Sequence, residues 1–182
     1  MRIHPIALLA WCTNSHWETT VEKASSLTHA HERSKLACKI YTLILFSLLD
    51  NPCKDSVKIA LSEAMERYKT STEYKCYSRL FSYDFEKLPK EKIKSSGYVV
   101  DTLEAAIWCV LTTNTYRECV LKAVNLGDDT DTVAAVAGGL AGALYGYDGI
   151  PKEWIGSLKR KNYIEKICEQ SAKNWDFLKA NQ

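Results

Sequence analysis

The amino-acid sequence predicts an all-α fold, and three observations carry that expectation. Apolar residues recur at helical spacing in several stretches, no run of β-branched residues alternates with polar ones, and the four prolines fall at or near the ends of the periodic segments. With 182 residues, 46% of them hydrophobic, the chain can bury one sizeable core, so a single domain over residues 1–182 is expected.

Taken in order, the first twelve residues join a basic residue to a short apolar run, as a secretion signal does. His4 and Pro5 interrupt that run and no small-residue cleavage site follows before Trp17 and Glu18, so it makes a poor leader. Between Glu32 and Leu49, the residues Leu36, Ile40, Leu43 and Ile44 line one helix face. From Tyr74 to Gly97 no period is sustained, and Pro89, scattered lysines and aromatics mark a connection with short helical turns at best. Asp101, with Glu104 three residues on, reads as a capping pair before Leu103, Ala106, Ile107, Val110 and Leu111; Thr115 and Glu118 repeat that spacing before Val120, Leu121 and Val124. The Gly- and Ala-rich stretch from Val133 to Tyr147 falls short of the roughly 20 residues of a membrane-spanning helix. It reads as a central buried helix whose small residues let neighbours approach on several sides. Ile164, Ile167, Cys168, Ser171, Trp175 and Leu178 outline a last amphipathic helix.

Basic residues number 24 and acidic residues 22, interspersed, for a net charge of +2. No electrostatic footprint favours nucleic acid or an anionic membrane, and neither partner is expected. Seven cysteines, an odd number without a C-x-x-C pair, read as reduced and mostly buried thiols, which points to a cytoplasmic setting.

Chemistry concentrates in Gly127-Asp128-Asp129-Thr130-Asp131-Thr132. Residues two apart do not share a helix face, so Asp129 and Asp131 converge on one ion only if the chain is irregular at Asp129 and becomes helical around Thr132; Gly127 makes such a turn easy. Two carboxylates and the Thr132 hydroxyl would then suit Mg²⁺, Mn²⁺ or Ca²⁺. The alternative is that Asp128 or Asp129 caps the next helix and the other acids sit in its dipole-favoured first turn. Elsewhere, His29 and His31 are awkwardly spaced for one zinc ion, and His31 reads as a surface or first-turn residue beside Glu32. The five tryptophans read as core, and Lys87 to Lys94 as solvated surface. Tyr98, next to Gly97, either stacks on an adenine or packs at a helix start.

Longer segments carry a resemblance. Gly97-Tyr-Val-Val-Asp-Thr-Leu-Glu-Ala-Ala-Ile-Trp108, then Ala123 through the acidic run to Gly146, then Ile150-Pro151 with Trp154, resemble the C-terminal half of the ADP-ribosylglycohydrolases, a group that includes the dinitrogenase reductase-activating glycohydrolase. Met1-Arg2-Ile3-His4-Pro5 and Leu27-Thr28-His29-Ala30-His31 resemble two earlier pieces of that family. The resemblance implies an all-α, ADP-ribosylglycohydrolase-like helical bundle with a two-metal Mg²⁺ or Mn²⁺ site. It implies cleavage of the bond between ADP-ribose and a protein side chain, arginine above all, with ADP-ribosylated protein or ADP-ribose as partner. By position, Asp129, Asp131 and Thr132 would be metal ligands, the two acids also carrying catalysis; His29, Arg2, Gly127 and Tyr98 would bind substrate, with Arg2 near the diphosphate. The family's Gly-Asp-Ala-x-Gly helix start, its Asp-Asp-Thr segment and its Gly-Asn-Gly loop do not occur in this sequence. A chain truncated at the N-terminus is therefore expected, with the metal site half encoded and apolar surface left open to self-association or a complementing N-terminal fragment. An inactive remnant that binds ADP-ribose or metal, and a scaffold domain, are the alternative functions. Asp128 stands where the family usually has a second Gly and is expected to face solvent.

Overall fold

The computed structural model describes residues 3–13 and 16–180, with side chains described as far as residue 174. Among the described residues there are nine α-helices and no strand: α1 (Ile3–Thr13), α2 (Trp17–Ser26), α3 (Glu32–Asp50), α4 (Lys54–Tyr68), α5 (Val99–Leu111), α6 (Tyr116–Val124), α7 (Thr130–Tyr145), α8 (Lys152–Ser157) and α9 (Lys161–Ala180). None of them is long and apolar enough to cross a membrane. The irregular stretch before α5 is three short 3₁₀ turns, Tyr74–Phe81, Phe85–Lys87 and Lys90–Lys92, as its lack of period suggests.

Local chemistry sets the helix ends. His31 is an exposed residue beside Glu32, as read, and its ring caps α3 as well, accepting from the Arg33 N–H at 3.1 Å. Thr115 caps α6 by accepting from the Glu118 N–H at 3.1 Å, as the spacing predicts, while the Glu118 carboxylate accepts from the Asn114 N–H rather than from Thr115. The cap expected of Asp101 does not form. Helix α5 begins at Val99 after Tyr98; Asp101 accepts from Ser96 Oγ at 2.6 Å, and Glu104 is buried in an ion pair with Arg79. Burial raises the Glu104 carboxyl above its usual range while Arg79 opposes the rise.

Helix α3 buries Ile40, Ile44, Leu45 and Leu48 completely, and each such side chain contributes about 1.5–3 kcal/mol by leaving water. The helix surrounded on all sides is α5, buried from Leu103 to Leu111, and not α7 as its composition suggests. Helix α7 buries only Val133, Val136, Ala137, Leu140 and Ala141, against α3, α5 and α6. Its small residues serve closeness rather than enclosure. A Cβ on Gly139 would lie 2.6 Å from the Tyr41 hydroxyl and 3.0 Å from His4 Nδ1, two groups bonded to each other at 2.7 Å. Beside that contact an apolar groove of about 330 Å³ runs between α7 and the ends of α1 and α3. Helix α9 lies against α1 with Ile164 and Ile167 partly exposed; the side chains of Trp175 and Leu178 fall outside the described residues. Cys12, Cys109 and Cys119 are buried, Cys38, Cys53 and Cys76 half-buried and Cys168 exposed.

Candidate functional site

Helix α7 is entered through an abrupt turn. Gly127 has φ +90°, Asp128 φ +59°, and the chain becomes helical at Thr130, two residues earlier than predicted. Asp128 thus occupies the left-handed region that favours glycine and that aspartate tolerates better than most residues, and it is exposed as expected. The turn is tied to the loop before α5: the Asp129 N–H donates to the Ser95 carbonyl at 3.0 Å, and Ser95 Oγ donates to the Gly127 carbonyl at 2.9 Å.

Asp129 stands at the N-cap of α7, yet its carboxylate makes no capping bond. It lies instead against Gly97, where a Cβ would come within 2.8 Å of Oδ2. One of the two alternatives for the acidic run is thereby set aside for Asp129: its carboxylate is not the cap. Asp131 and Thr132 follow in the first turn of α7, Asp131 exposed and Thr132 half-buried.

Gly97 and Thr132 both border a cleft of about 630 Å³ between the α2–α3 loop, α1 and the start of α5. His29, His31, Arg33 and Tyr98 supply its polar and aromatic wall, and Ile3, Ile6 and Leu27 its apolar one. The loop that carries His29 is latched at its base, for the His29 N–H donates to the Ser25 carbonyl at 2.7 Å and Ser25 Oγ donates to the His29 carbonyl at 3.0 Å. Across the cleft, Arg33 Nε donates to Glu73 at 2.6 Å and Nη1 to the Tyr98 hydroxyl at 2.7 Å. Bonded to Arg33, the Glu73 carboxyl is held below its usual range.

The cleft therefore gathers His29, Tyr98 and Thr132, and Gly97 brings the Asp129 carboxylate to its edge. Gly127 shapes the turn behind it and offers its carbonyl to Ser95. Arg2 lies outside the described residues. Ser95, Arg33 and Glu73 escape the sequence reading. The polar run Ser95-Ser96-Gly97 carries a local turn signal that could have found the first. The other two lie forty residues apart with none.

Among the described residues no three His, Cys, Asp or Glu side chains are grouped to hold a metal ion. What is present fits part of a shell for a hard cation: two carboxylates and a hydroxyl within four residues, the Asp129 carboxylate without a hydrogen bond among the described residues.

A profile of the family described as ADP-ribosylglycohydrolase matches residues 1–180. The ADP-ribosylarginine hydrolase Tri1 of Pseudomonas putida (strain GB-1) is 36% identical over 86% of this chain and 39% of its own length. The ADP-ribosyl-(dinitrogen reductase) glycohydrolase of Rhodospirillum rubrum is 30% identical over 88% of this chain and 50% of its own. A solved structure titled ADP-ribosylglycohydrolase-related protein complex superposes with a TM-score of 0.73 at 28% identity, covering 87% of this chain and 54% of that one. The chain thus spans half or less of the length of these two curated relatives.

Proposed function

The chain belongs to the ADP-ribosylglycohydrolase family, and on that premise we propose that it works as, or within, a metal-dependent ADP-ribosyl hydrolase that cleaves the glycosidic bond between ADP-ribose and a protein side chain. Arginine is the favoured side chain, since a relative similar over most of this chain is named an ADP-ribosylarginine hydrolase. One observation carries the reading. The Asp129 carboxylate is turned away from the helix end it could cap and toward Gly97, at the edge of a cleft large enough for a nucleotide-sized ligand.

In this reading Asp129, Asp131 and the Thr132 hydroxyl hold Mg²⁺ or Mn²⁺. When bound, such an ion supplies Lewis acidity toward a ribose hydroxyl and a water. The chain's own residues do the rest. His29 and Tyr98 bound and orient the ligand, and Ile3, Ile6 and Leu27 keep water from one wall. The carboxylates stabilise positive charge that develops on the sugar as its bond to the side chain breaks. Gly127 sets the turn that delivers Asp129, and Arg2 is assigned to the diphosphate. Because the ligand set is partial, the site is completed by a complementing fragment or a second copy, for which the open face of α7 offers a surface. The free thiols of Cys38, Cys53, Cys76, Cys109, Cys119 and Cys168 support a cytoplasmic setting as part of the same reading.

Calorimetric titration of ADP-ribose into the 182-residue chain, with and without millimolar Mg²⁺, tests the reading. Metal-dependent binding that Asp129→Asn removes is expected; the absence of heat under both conditions overturns it for this chain. A second reading, binding of ADP-ribose or metal without turnover, is favoured by the missing third acidic or histidine ligand among the described residues. It predicts that ADP-ribose binding survives chelation of the metal.

A further inference from the structure

Tyr98 and Arg33 line the cleft and are ordered in series with Glu73 behind them. Tyr98 is 44% exposed, yet it is held at both ends: its N–H donates to Ser96 Oγ at 3.2 Å and its hydroxyl accepts from Arg33 Nη1 at 2.7 Å. Arg33 is held in turn. Its Nε donates to Glu73 at 2.6 Å, and its carbonyl accepts from the fully buried Tyr77 hydroxyl at 2.7 Å. The Arg33 and Glu73 side chains are 31% and 16% exposed, so their charge-assisted bond is partly shielded from water and fixes the guanidinium fork in place. What the series does produce is an aromatic face fixed in one orientation at the rim of the cleft, its guanidinium partner 5.8 Å from the ring centre. Ordering a ring before a ligand arrives removes that cost from binding.

We propose that Glu73 and Arg33 form a positioning pair that presents the Tyr98 ring to the cleft as a platform for a flat, π-stacking group of the substrate. Neither Arg33 nor Glu73 is a catalytic residue; both act through Tyr98. The proposal rests on the reading that the cleft takes ADP-ribose or its adduct. Two groups of such a substrate share the required chemistry, the purine base and the guanidine to which the sugar is joined. Tyr98 follows Gly97, whose missing Cβ leaves room for the Asp129 carboxylate, so the platform lies next to the part of the site assigned to the sugar.

The test is calorimetric titration of the 182-residue chain, in Mg²⁺, with two probes: ADP-ribose, which has the base alone, and ADP-ribosylarginine, which has both groups. Tyr98→Phe keeps the ring and removes its anchor, and is expected to weaken binding about 3- to 10-fold, the cost of ordering one side chain. Arg33→Ala should do the same, and in the Tyr98→Phe background it should cause no further loss. Glu73→Gln, which keeps an acceptor for Nε, should retain most of the affinity. A loss with both probes assigns the platform to the base; a loss with ADP-ribosylarginine alone assigns it to the guanidine. If the wild-type chain binds either probe and Tyr98→Phe and Arg33→Ala bind as tightly, or their losses add, the positioning pair is overturned while the function stands. If the wild type binds neither probe, both readings fall together.

Discussion

Replacing Gly97 by alanine separates the geometry of the site from the stability of the fold. Gly97 has no left-handed φ, so alanine fits its backbone and, by restricting the unfolded chain, should change stability by no more than about 1 kcal/mol in either direction. The new methyl, however, meets Asp129 Oδ2 at 2.8 Å, and that distance must open to at least 3.4 Å for ordinary contact, a displacement of about 0.6 Å. The Ser95 bond holds the Asp129 backbone, so the carboxylate itself has to swing. Misplacing a reacting group by about 1 Å can cost about a hundredfold, so a loss of about tenfold is expected in metal-dependent ADP-ribose binding. Titration of Mn²⁺, and of ADP-ribose in Mg²⁺, into wild-type and Gly97→Ala chains measures the effect, with melting curves recorded on the same samples. Gly156→Ala, where a Cβ meets nothing within 4 Å, is the control and should bind as wild type does. Unchanged affinity at an unchanged melting temperature would refute the placement of Asp129 as a ligand.

Four further outcomes follow from the same geometry. Asp128→Gly should raise stability by about 0.5–1 kcal/mol in urea unfolding, because it relieves a left-handed φ of +59° at an exposed position; a loss of stability would mean that the carboxylate has an unrecognised role. On α7, Gly142→Ala meets nothing within 4 Å and should stabilise by about 0.5–1 kcal/mol. Gly139→Ala should destabilise by about 1–3 kcal/mol, since it drives a methyl into the His4–Tyr41 hydrogen bond, and equal melting temperatures for the two variants would contradict the packing. Burial lowers His4 below its ordinary 6.5, so the folded state binds its proton less readily than the unfolded chain does. Its contribution is therefore complete above that value and is lost as the pH falls toward the folded pKa. Between about pH 7.5 and about pH 5.5 the wild type should lose more stability than His4→Gln, a difference that melting curves across that range would detect.

The parts of the fold that could be read in advance are those that local chemistry decides. The apolar stripe of α3 and the Thr115 cap of α6 each depend on residues within two turns of one another and occur as read, although the Glu118 carboxylate returns to Asn114 rather than to Thr115. Asp101 does not cap because α5 starts at Val99 and places it inside the first turn, where its carboxylate accepts from Ser96 Oγ. The rank of α5 and α7 is reversed for a different reason: small residues encode how near a neighbour can come, and say nothing of how many neighbours there are. The cleft divides along the same line. The acidic turn announces itself through three carboxylates in four residues, and Gly127 does adopt the turn conformation expected of it. Its meaning, however, depends on partners more than thirty residues away. Gly97 receives the Asp129 carboxylate, Ser95 ties the turn to the next loop, and Glu73 reaches across forty residues to Arg33. None of these pairings leaves a periodic trace, because each joins segments remote in sequence, the loop before α5 to the turn before α7 and the residue before the first 3₁₀ turn to α3. A motif can thus name the donors of a site before the fold is known. Whether those donors face a ligand, a helix end or solvent is decided by residues remote in the sequence, here above all by Gly97, which leaves room for one carboxylate.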